Sequence, residues 1–270
     1  MTDGEDPDPD SGGNGDPISS GGVRIPEDHP RYNSLLTRHR IEEGVKEGIT
    51  SLQGLIAEGR GEAFDYLLGE QTIPTADEAA RAAAALLLLA DHPVISVNGN
   101  VAALVPDEIV ELGRTVGADL EVNLFNRTEE RMNAIVSHLE DHGATDVKGL
   151  AADARIPGLS HERGTVDENG IGDADVVLVP LEDGDRAAAL ADVGKTGIVI
   201  DLNPQSRSAQ VAAIPIVDNV IRAVPNITDH ARDLQDAERS DLERIVEDFD
   251  PDRALAEAEE RIRTGIDRSD

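Results

Sequence analysis

The chain has 270 residues, enough for one large or two ordinary domains, and carries 55 Asp and Glu against 24 Lys and Arg, a formal net charge of -31. Nucleic acids and anionic membranes bind net basic surfaces, so this charge argues against both as partners. There is no cysteine, which excludes disulfides and thiolate metal sites. No apolar run reaches the ~20 residues of a membrane span and the acidic N-terminus does not resemble a signal peptide, so we predict a cytoplasmic protein.

The acidic residues are spread along the whole chain, and the only lysines are Lys46, Lys148 and Lys195. In concentrated salt, screening shortens electrostatic interactions to about 3 Å at 1 M, which damps the self-repulsion of such a surface. We therefore interpret the charge as adaptation to a high-salt, halophilic cytoplasm. It reports the habitat of the protein and not its activity.

The N-terminal third is predicted to comprise a tail and a helical segment. Residues 1–22 are mostly Asp, Gly, Pro and Ser, which predicts a disordered acidic tail. Residues 23–92 predict helices that pack against a core, beginning with apolar residues at helical spacing over residues 32–45. A second helix over residues 52–57 and a third over 62–68 follow.

A Gly-Arg-Gly motif at residues 59–61 falls between the second and third helices. Two glycines let the backbone approach a ligand while the Arg60 guanidinium stays free, which favours a binding turn. A plain turn with a solvated arginine is the alternative that we prefer on the motif alone. Residues 75–78 (Thr-Ala-Asp-Glu) predict a capping box that opens a helix ending near Leu89.

Short strands and helices alternate from residue 93. A strand over residues 94–97 runs into a tight turn at residues 98–100, and a helix starts near Pro106. Helices between short buried strands indicate a mainly parallel sheet covered on both faces, so we predict a three-layer, Rossmann-like α/β domain over residues 93–270. Its other strands are predicted over residues 120–125, 175–179, 198–200 and 212–217, and its C-terminal helices over residues 222–266 with a break at 248–251.

Polar side chains follow the last two predicted strands. Because ligands of open α/β sheets bind outside the carboxyl ends of the strands, these side chains predict the floor of a polar site. Asp, Asn, Pro and Ser are also common turn residues, so two surface turns remain the alternative. The residues are Asp201, Leu202, Asn203, Ser206, Arg207 and Ser208 after one strand, and Asp218 and Asn219 after the next.

Several arginines fall in polar turns or on the first helix of this acidic chain. Guanidinium groups match phosphate geometry, which favours a polyanionic ligand such as a nucleotide. Pairing of each arginine with a nearby surface carboxylate is an equal alternative. The five arginines are Arg38, Arg60, Arg155, Arg163 and Arg207.

The polar stretch over residues 153–172 is predicted to be an irregular loop, which inside an α/β domain is usually functional. His161 lies within it and is either a catalytic group or a structural hydrogen-bonding one. Lys195 precedes a strand, at the end of the sheet opposite the predicted site, so it is expected to be solvated.

Known nucleotide motifs are incomplete or absent. The dinucleotide fingerprint needs three glycines after the first strand, and only Gly99 is present, which argues against a nicotinamide enzyme. Asn126-Arg127-Thr128 resembles the NADP-selecting turn of shikimate dehydrogenases, although a helix capped by Thr128 is the preferred interpretation. The phosphate-binding loop pattern that precedes a lysine is missing, and no pair of histidines has metal-ligand spacing.

Several blocks of sequence together resemble one known family, the archaeal phosphopantothenate synthetases, also called 4-phosphopantoate–β-alanine ligases. The resemblance covers roughly residues 24–266 and omits the acidic tail. The departures are that tail and the arginine-for-lysine, acid-rich surface, which fit a haloarchaeal member. The blocks are Ile25-Pro26, His29-Pro30-Arg31-Tyr32 and residues 59–66, 92–106, 126–131, 156–170, 180–186 and 201–208.

The resemblance implies a homodimeric enzyme of coenzyme A biosynthesis with a Rossmann-like fold. Such an enzyme condenses 4-phosphopantoate with β-alanine using ATP and Mg²⁺, through an acyl-adenylate, and releases AMP and pyrophosphate. It also implies the nucleotide-contacting positions, which fall on Arg38, Arg60, Asp201, Leu202, Asn203, Arg207, Ser208 and Asn219.

We expect these positions to divide the work. Arg38, Arg60 and Arg207 would hold the ATP phosphates, with Mg²⁺ bridging the phosphates and its protein ligands unknown. The candidates for catalysis are Arg60, Arg207 and His161; those for the ribose, metal or base are Asp201, Asn203 and Asn219; and those for phosphopantoate are Arg155, His161, Arg163 and Asn100. Arg155, His161 and Arg163 could instead order their loop. An NADP-dependent dehydrogenase and a non-catalytic nucleotide-binding module remain the alternative functions.

Overall fold

The computed structural model describes residues 18–19, 23–24, 26, 28–29, 31–181 and 184–265. Most of the tail predicted to be disordered therefore lies outside the described residues. Within it, Ile18–Ser19 (β1) pairs antiparallel with Val23–Arg24 (β2), and the disorder of the tail stays a prediction. In the described residues no helix combines the length and the apolarity that a membrane span requires.

The centre of the fold is a five-stranded parallel sheet, as the alternation of strands and helices predicts. Its strand order is β4-β3-β7-β8-β9, and every pairing within it is parallel. Pro215 is tolerated in β9 because that strand lies at the edge of the sheet. The strands are β3 Pro93–Val97, β4 Asp119–Val122, β7 Val176–Pro180, β8 Thr196–Ile200 and β9 Ile214–Ile216, while β5 Ala154–Arg155 and β6 Thr165–Val166 form a separate antiparallel pair.

Helices cover both faces of the sheet. Alternate strand residues such as Ile95 and Ile198 bury one face under α3, α5, α6 and α9, while Val94, Val177 and Val199 bury the other under α7 and residues 156–174. The three-layer α/β class is thus confirmed. The helices are α1 Tyr32–Lys46, α2 Leu52–Leu68, α3 Pro74–Leu89, α4 Gly99–Leu104, α5 Pro106–Val116, α6 Glu129–Asp141, α7 Gly184–Asp192, α8 Arg207–Val211, α9 Val220–Leu234, α10 Arg239–Asp248 and α11 Pro251–Thr264.

Two local predictions in the N-terminal third are wrong. The Gly-Arg-Gly motif does not break a helix, because α2 is continuous from Leu52 to Leu68. A glycine in a helix interior costs only about 1 kcal/mol, and the buried side chains of Phe64 and Leu68 belong to an apolar cluster with α11 that holds α2 in place. The predicted capping box also fails: α3 begins at Pro74, one residue earlier, and Thr75 is buried without a capping hydrogen bond.

Three predictions around the sheet also need correction or refinement. The predicted turn at residues 98–100 is the start of α4, with Asn98 as its N-cap. Lys195 is not solvated, since its Nζ donates to the Gly172 and Ala174 carbonyls at 2.7 and 2.8 Å. The stretch over residues 153–172 contains the β5–β6 pair and a π-helical turn, Glu168–Gly172. The break predicted at 248–251 is confirmed by the end of α10 and the start of α11.

Candidate active site

A cavity of about 720 Å³ lies at the carboxyl edge of the sheet. The residue that follows each of three strands lines it: Asn98 after β3, Leu181 after β7 and Asp201 after β8. The strand order reverses between β3 and β7, and there Asn98 Nδ2 donates to the Pro180 carbonyl at 2.9 Å. The cavity therefore lies at the topological switch point, where open α/β sheets bind their ligands.

The cavity brings together seven of the predicted site residues and leaves five outside. Arg38, Arg155, His161, Arg207 and Ser208 do not line it. The structure gives the positions of these twelve residues, and the roles assigned to them stay predictions. The seven lining residues are Arg60, Asn100, Arg163, Asp201, Leu202, Asn203 and Asn219.

The turn after β8 is stabilised by its own side chains. Asp201 Oδ1 accepts from the Asn203 backbone N–H at 3.1 Å, and Asp201 Oδ2 accepts from the Ser206 hydroxyl at 2.5 Å. Asn203 Oδ1 accepts in turn from the Gln205 backbone N–H at 3.0 Å. The sequence forms this turn locally, so the polar lip of the cavity is fixed before any ligand arrives.

A buried polar network joins α2 to the residues after β9. Asn219 caps α9 by accepting from the Ile221 N–H, while its Nδ2 donates to Asp65 Oδ2 at 3.1 Å. Arg222 bridges Asp65 and Asp218, each at 2.7 Å. Burial raises the pKa of Asp218 even though Arg222 lies against it. The network positions α2 as one wall of the cavity and already uses part of the Asn219 amide.

Asn100 also positions α2. Its Oδ1 accepts from the Thr50 hydroxyl at 2.5 Å and its Nδ2 donates to the Gly54 carbonyl at 3.0 Å. A Cβ on Gly54 would lie 2.2 Å from Thr50 Oγ1 and 2.3 Å from Asn100 Oδ1, so only glycine fits there. The observed role of the Asn100 side chain is structural, and substrate contact stays a prediction.

The cavity contains a cationic residue that the sequence did not single out, Arg131 of α6. Its two terminal nitrogens donate to the Asn126 and Ile49 carbonyls at 2.8 and 3.3 Å. Within the described residues neither Arg131 nor Arg60 has an ion-pair partner. In an acidic chain, these two arginines leave positive charge available for an anionic ligand. Arg131 lies in the first turn of its helix, and sequence reasoning assigned it no role beyond its place in the family block 126–131.

The preferred interpretation of the turn before α6 is supported. Thr128 Oγ1 accepts from the Arg131 N–H and caps the helix. Arg127 donates to the Gly149 carbonyl instead of facing the cavity. The hydrogen bonds of this turn therefore do not favour binding of an NADP phosphate.

Glu58 on α2 is the second lining residue that sequence reasoning missed. Burial, reinforced by the nearby carboxylates of Asp65 and Glu62, raises its pKa to about 7. Among the residues that the structure describes, its carboxyl group has no hydrogen bond or ion pair. Nothing in the sequence around Glu58 shows that the fold will half-bury this side chain.

Two of the predicted phosphate ligands are paired with carboxylates in the structure. Arg38 binds Glu62 through two nitrogens and lines a smaller cavity of about 160 Å³ that shares Glu58 with the large one. Arg207 lies 2.7 Å from Asp185, with its side chain 74% exposed. This geometry matches the surface-pairing alternative for both arginines.

Of the three predicted phosphopantoate ligands in the 153–172 stretch, two lie outside the large cavity and one lines it. Arg155 donates to the Leu159 and His161 carbonyls, so it orders its own loop. His161 packs against Phe125, with ring centroids 5.5 Å apart. Only the buried Arg163 lines the cavity.

Fold and site together define a class: a Rossmann-like α/β protein with an arginine-lined cavity at the switch point of its parallel sheet. The family model described as Phosphopantothenate/pantothenate synthetase matches residues 75–265. The chain belongs to this family, which confirms the resemblance seen in the sequence; the haloarchaeal subtype stays a prediction.

Curated relatives extend the match over most of the chain, and each bears the name 4-phosphopantoate–β-alanine ligase. The protein from Thermococcus onnurineus is 56% identical over 242 residues, covering 89% of this chain and 93% of its own. That from Thermococcus kodakarensis is 54% identical, covering 91% and 95%. That from Methanosarcina mazei is 53% identical, covering 88% and 94%.

Proposed function

We propose that the chain is an ATP-dependent ligase of coenzyme A biosynthesis that joins 4-phosphopantoate to β-alanine, giving 4′-phosphopantothenate, AMP and pyrophosphate. The observation that carries the proposal is the 53–56% identity to three ligases of this name over about nine-tenths of the chain. The cavity supports it independently, because two substrates with phosphate groups require cationic side chains that no carboxylate neutralises, and within the described residues Arg60 and Arg131 have that character.

The two ends of the cavity suggest how the substrates divide. Asp201, Asn203 and Asn219 form the end at β8 and β9, and Arg60 lines the same cavity. This set supports ATP at that end, in agreement with the predicted nucleotide positions. Arg38 and Arg207 lie outside the cavity, so their contact with phosphates requires release from Glu62 and Asp185.

The opposite end, at β3 and β4, suits the phosphate of 4-phosphopantoate. Arg131 lies there with Asn98 and Asn126 at the cavity wall. Its guanidinium is fixed by two backbone carbonyls, so little side-chain entropy is lost when a phosphate binds. Leu124 and Phe125 add apolar surface for the carbon skeleton of the substrate.

In the first half of the reaction the pantoate carboxylate attacks the α-phosphorus of ATP, and pyrophosphate leaves. The protein positions the two anions and stabilises the charge of the transition state, which are the main contributions of proteins to phosphoryl transfer. In the second half the amine of β-alanine attacks the acyl carbon and AMP leaves. The apolar side chains of Phe64 and Leu67 line the cavity and limit water, which would otherwise hydrolyse the adenylate.

Mg²⁺, which neutralises phosphate charge when bound, belongs to the proposal as well. Among the described residues, no three His, Asp or Glu side chains gather into a metal site. Proteins usually bind Mg²⁺ through one or two carboxylates together with substrate phosphates. Asp201 fits that pattern, since it lines the cavity and each of its oxygens, although hydrogen-bonded once, retains a lone pair.

A homodimer, a cytoplasmic location and a preference for high salt complete the proposal. Leu52, Ile56 and Leu67 lie on α2 with exposed fractions of 72%, 75% and 47%, which supports a subunit contact on this helix. The acidic composition supports the other two. Light scattering of Ile56→Glu against wild type would test the dimer: half the mass supports the contact, and an unchanged dimer argues against it.

The decisive experiment for the reaction is a product assay. We expect the purified protein to release AMP and form an amide product only when ATP, 4-phosphopantoate and β-alanine are all present. Turnover that is independent of β-alanine, or formation of ADP in place of AMP, would overturn the assignment.

A further inference from the structure

One carboxyl group at the cavity wall has no part in adenylate formation. Glu58 is half-buried and lines both the large cavity and the smaller one beside it. A Cβ placed on Gly61 would lie 3.2 Å from Glu58 Oε1 and 3.2 Å from Asn219 Nδ2, so both groups border the space beside Gly61. Within the described chain nothing donates a hydrogen bond to it.

The second half-reaction needs a group of this kind. An aliphatic ammonium has a pKa of about 10, so β-alanine reaches the site protonated and without a nucleophilic lone pair. A carboxylate that no arginine occupies attracts this ammonium and can accept its proton. The other carboxylates of α2 are already engaged: Glu62 by Arg38 and Asp65 by Arg222.

Building on the proposed function, we propose that Glu58 is the proton acceptor for the ammonium group of β-alanine. One ammonium proton passes to the Glu58 carboxylate, and the freed nitrogen forms a bond to the acyl carbon of the adenylate. The bond from that carbon to the AMP oxygen breaks, and AMP leaves with the electron pair. The second nitrogen proton passes to water as the amide forms.

The charges around Glu58 match this task. Burial and the neighbouring carboxylates of Asp65 and Glu62 raise the pKa of Glu58 to about 7, close to the value that suits a base at neutral pH. Asp65 and Glu62 lie on its own helix, as does Arg60. The charged groups that face it from other elements are Arg38 and Glu42 across the small cavity, and Arg131, Arg163 and Asp201 across the large one.

The test separates the two half-reactions in Glu58→Gln. Exchange of pyrophosphate into ATP needs only 4-phosphopantoate, and we expect it to stay within about twofold of wild type. We expect amide formation with β-alanine to fall about 100-fold or more, within the range for loss of a general base. Hydroxylamine, which is unprotonated at neutral pH, should still trap the adenylate at the wild-type rate. The acid limb of the wild-type pH profile near 7 should also disappear.

Glu47→Gln is the matched control, since it removes the charge of an exposed glutamate at the end of α1, outside both cavities. It should leave both half-reactions unchanged. If Glu58→Gln forms amide at the wild-type rate, or if exchange and amide formation fall by the same factor, the assignment is overturned. If the wild type itself shows no exchange, the proposed function fails, and this assignment fails with it.

Discussion

Two glutamates of this protein have a pKa raised to about 7, and they lie in opposite surroundings. Glu121 lies in β4 and is fully buried; its Oε1 accepts from the Asp167 N–H at 3.2 Å and its Oε2 from the Ile171 N–H at 2.6 Å. The charge of buried Arg186 acts on it through space. Glu121 therefore organises the core, and no ligand can reach it.

Glu58 shows the other case. It has the same direction of pKa shift, yet it faces a cavity and lacks any partner among the described residues. A shifted pKa reports burial in both regions, but only an unpartnered group beside a cavity is available for chemistry. Variants of the core cluster should therefore change stability, and variants of the cavity wall should change activity.

The largest effect is expected from Glu121→Ala. It leaves two buried N–H groups without an acceptor and Arg186 without its nearby negative charge, which should cost about 3 to 5 kcal/mol of unfolding free energy. Urea unfolding in concentrated KCl measures the loss. The same truncation at Glu58 removes no hydrogen bond, so it should not destabilise the fold by more than about 1 kcal/mol. A larger loss of stability in Glu58→Ala than in Glu121→Ala would contradict this comparison.

Both glutamates should contribute to the pH dependence of stability, because the pKa of each is raised to about 7, and single Gln variants separate the two contributions. Because the pKa of Glu121 is raised from 4.5 to about 7, the folded protein holds a proton that the unfolded chain has released between these values. Protonated Glu121 therefore contributes its full stabilisation below about pH 4.5. This contribution is lost as the pH rises through 7, which lowers the free energy of unfolding by up to about 3 kcal/mol. Glu121→Gln removes the titrating group and should flatten this dependence, while its amide NH2, which cannot accept from a backbone N–H, lowers stability at every pH. An unchanged slope in unfolding midpoints between pH 5 and 8 would show that Glu121 does not titrate there.

The arginines extend the same comparison. Arg131→Ala should raise the KM for 4-phosphopantoate about 10- to 100-fold and leave the KM for ATP nearly unchanged, because a charged hydrogen bond to phosphate contributes about 1.5 to 3 kcal/mol. Arg60→Ala should do the opposite. Steady-state kinetics with each substrate varied in turn provides the measurement, and an equal rise in both KM values would argue against two separate ends of the cavity.

The smallest effect is expected at Arg207, which lies outside the cavity. Arg207→Ala should lower turnover about tenfold, or about 1.4 kcal/mol of transition-state stabilisation, if Arg207 exchanges Asp185 for a phosphate in the complex. Asp185→Asn supplies the companion variant, because it frees Arg207 and should not lower turnover. Full activity in Arg207→Ala would show that this arginine forms a surface ion pair and does not contribute to turnover.

The sequence predicts the sheet well because its strands are buried on both faces and therefore consist of continuous apolar runs, such as residues 198–200. It also locates Asp201 and Asn219, because a parallel sheet gathers the residues after its strands at one edge. It misplaces the Gly-Arg-Gly motif, since tertiary packing of α2 outweighs the helix cost of glycine. The sequence does not predict the proposed roles of Glu58 and Arg131. These roles depend on which face of each helix borders the cavity, and only the packed fold determines that.

Transfer of oxygen-18 tests the central claim most directly. We expect 4-phosphopantoate labelled in its carboxylate to give AMP with one labelled oxygen, both in wild-type turnover and when hydroxylamine cleaves the adenylate formed by Glu58→Gln. Unlabelled AMP, or label in inorganic phosphate released with ADP, would contradict an acyl-adenylate formed in this cavity.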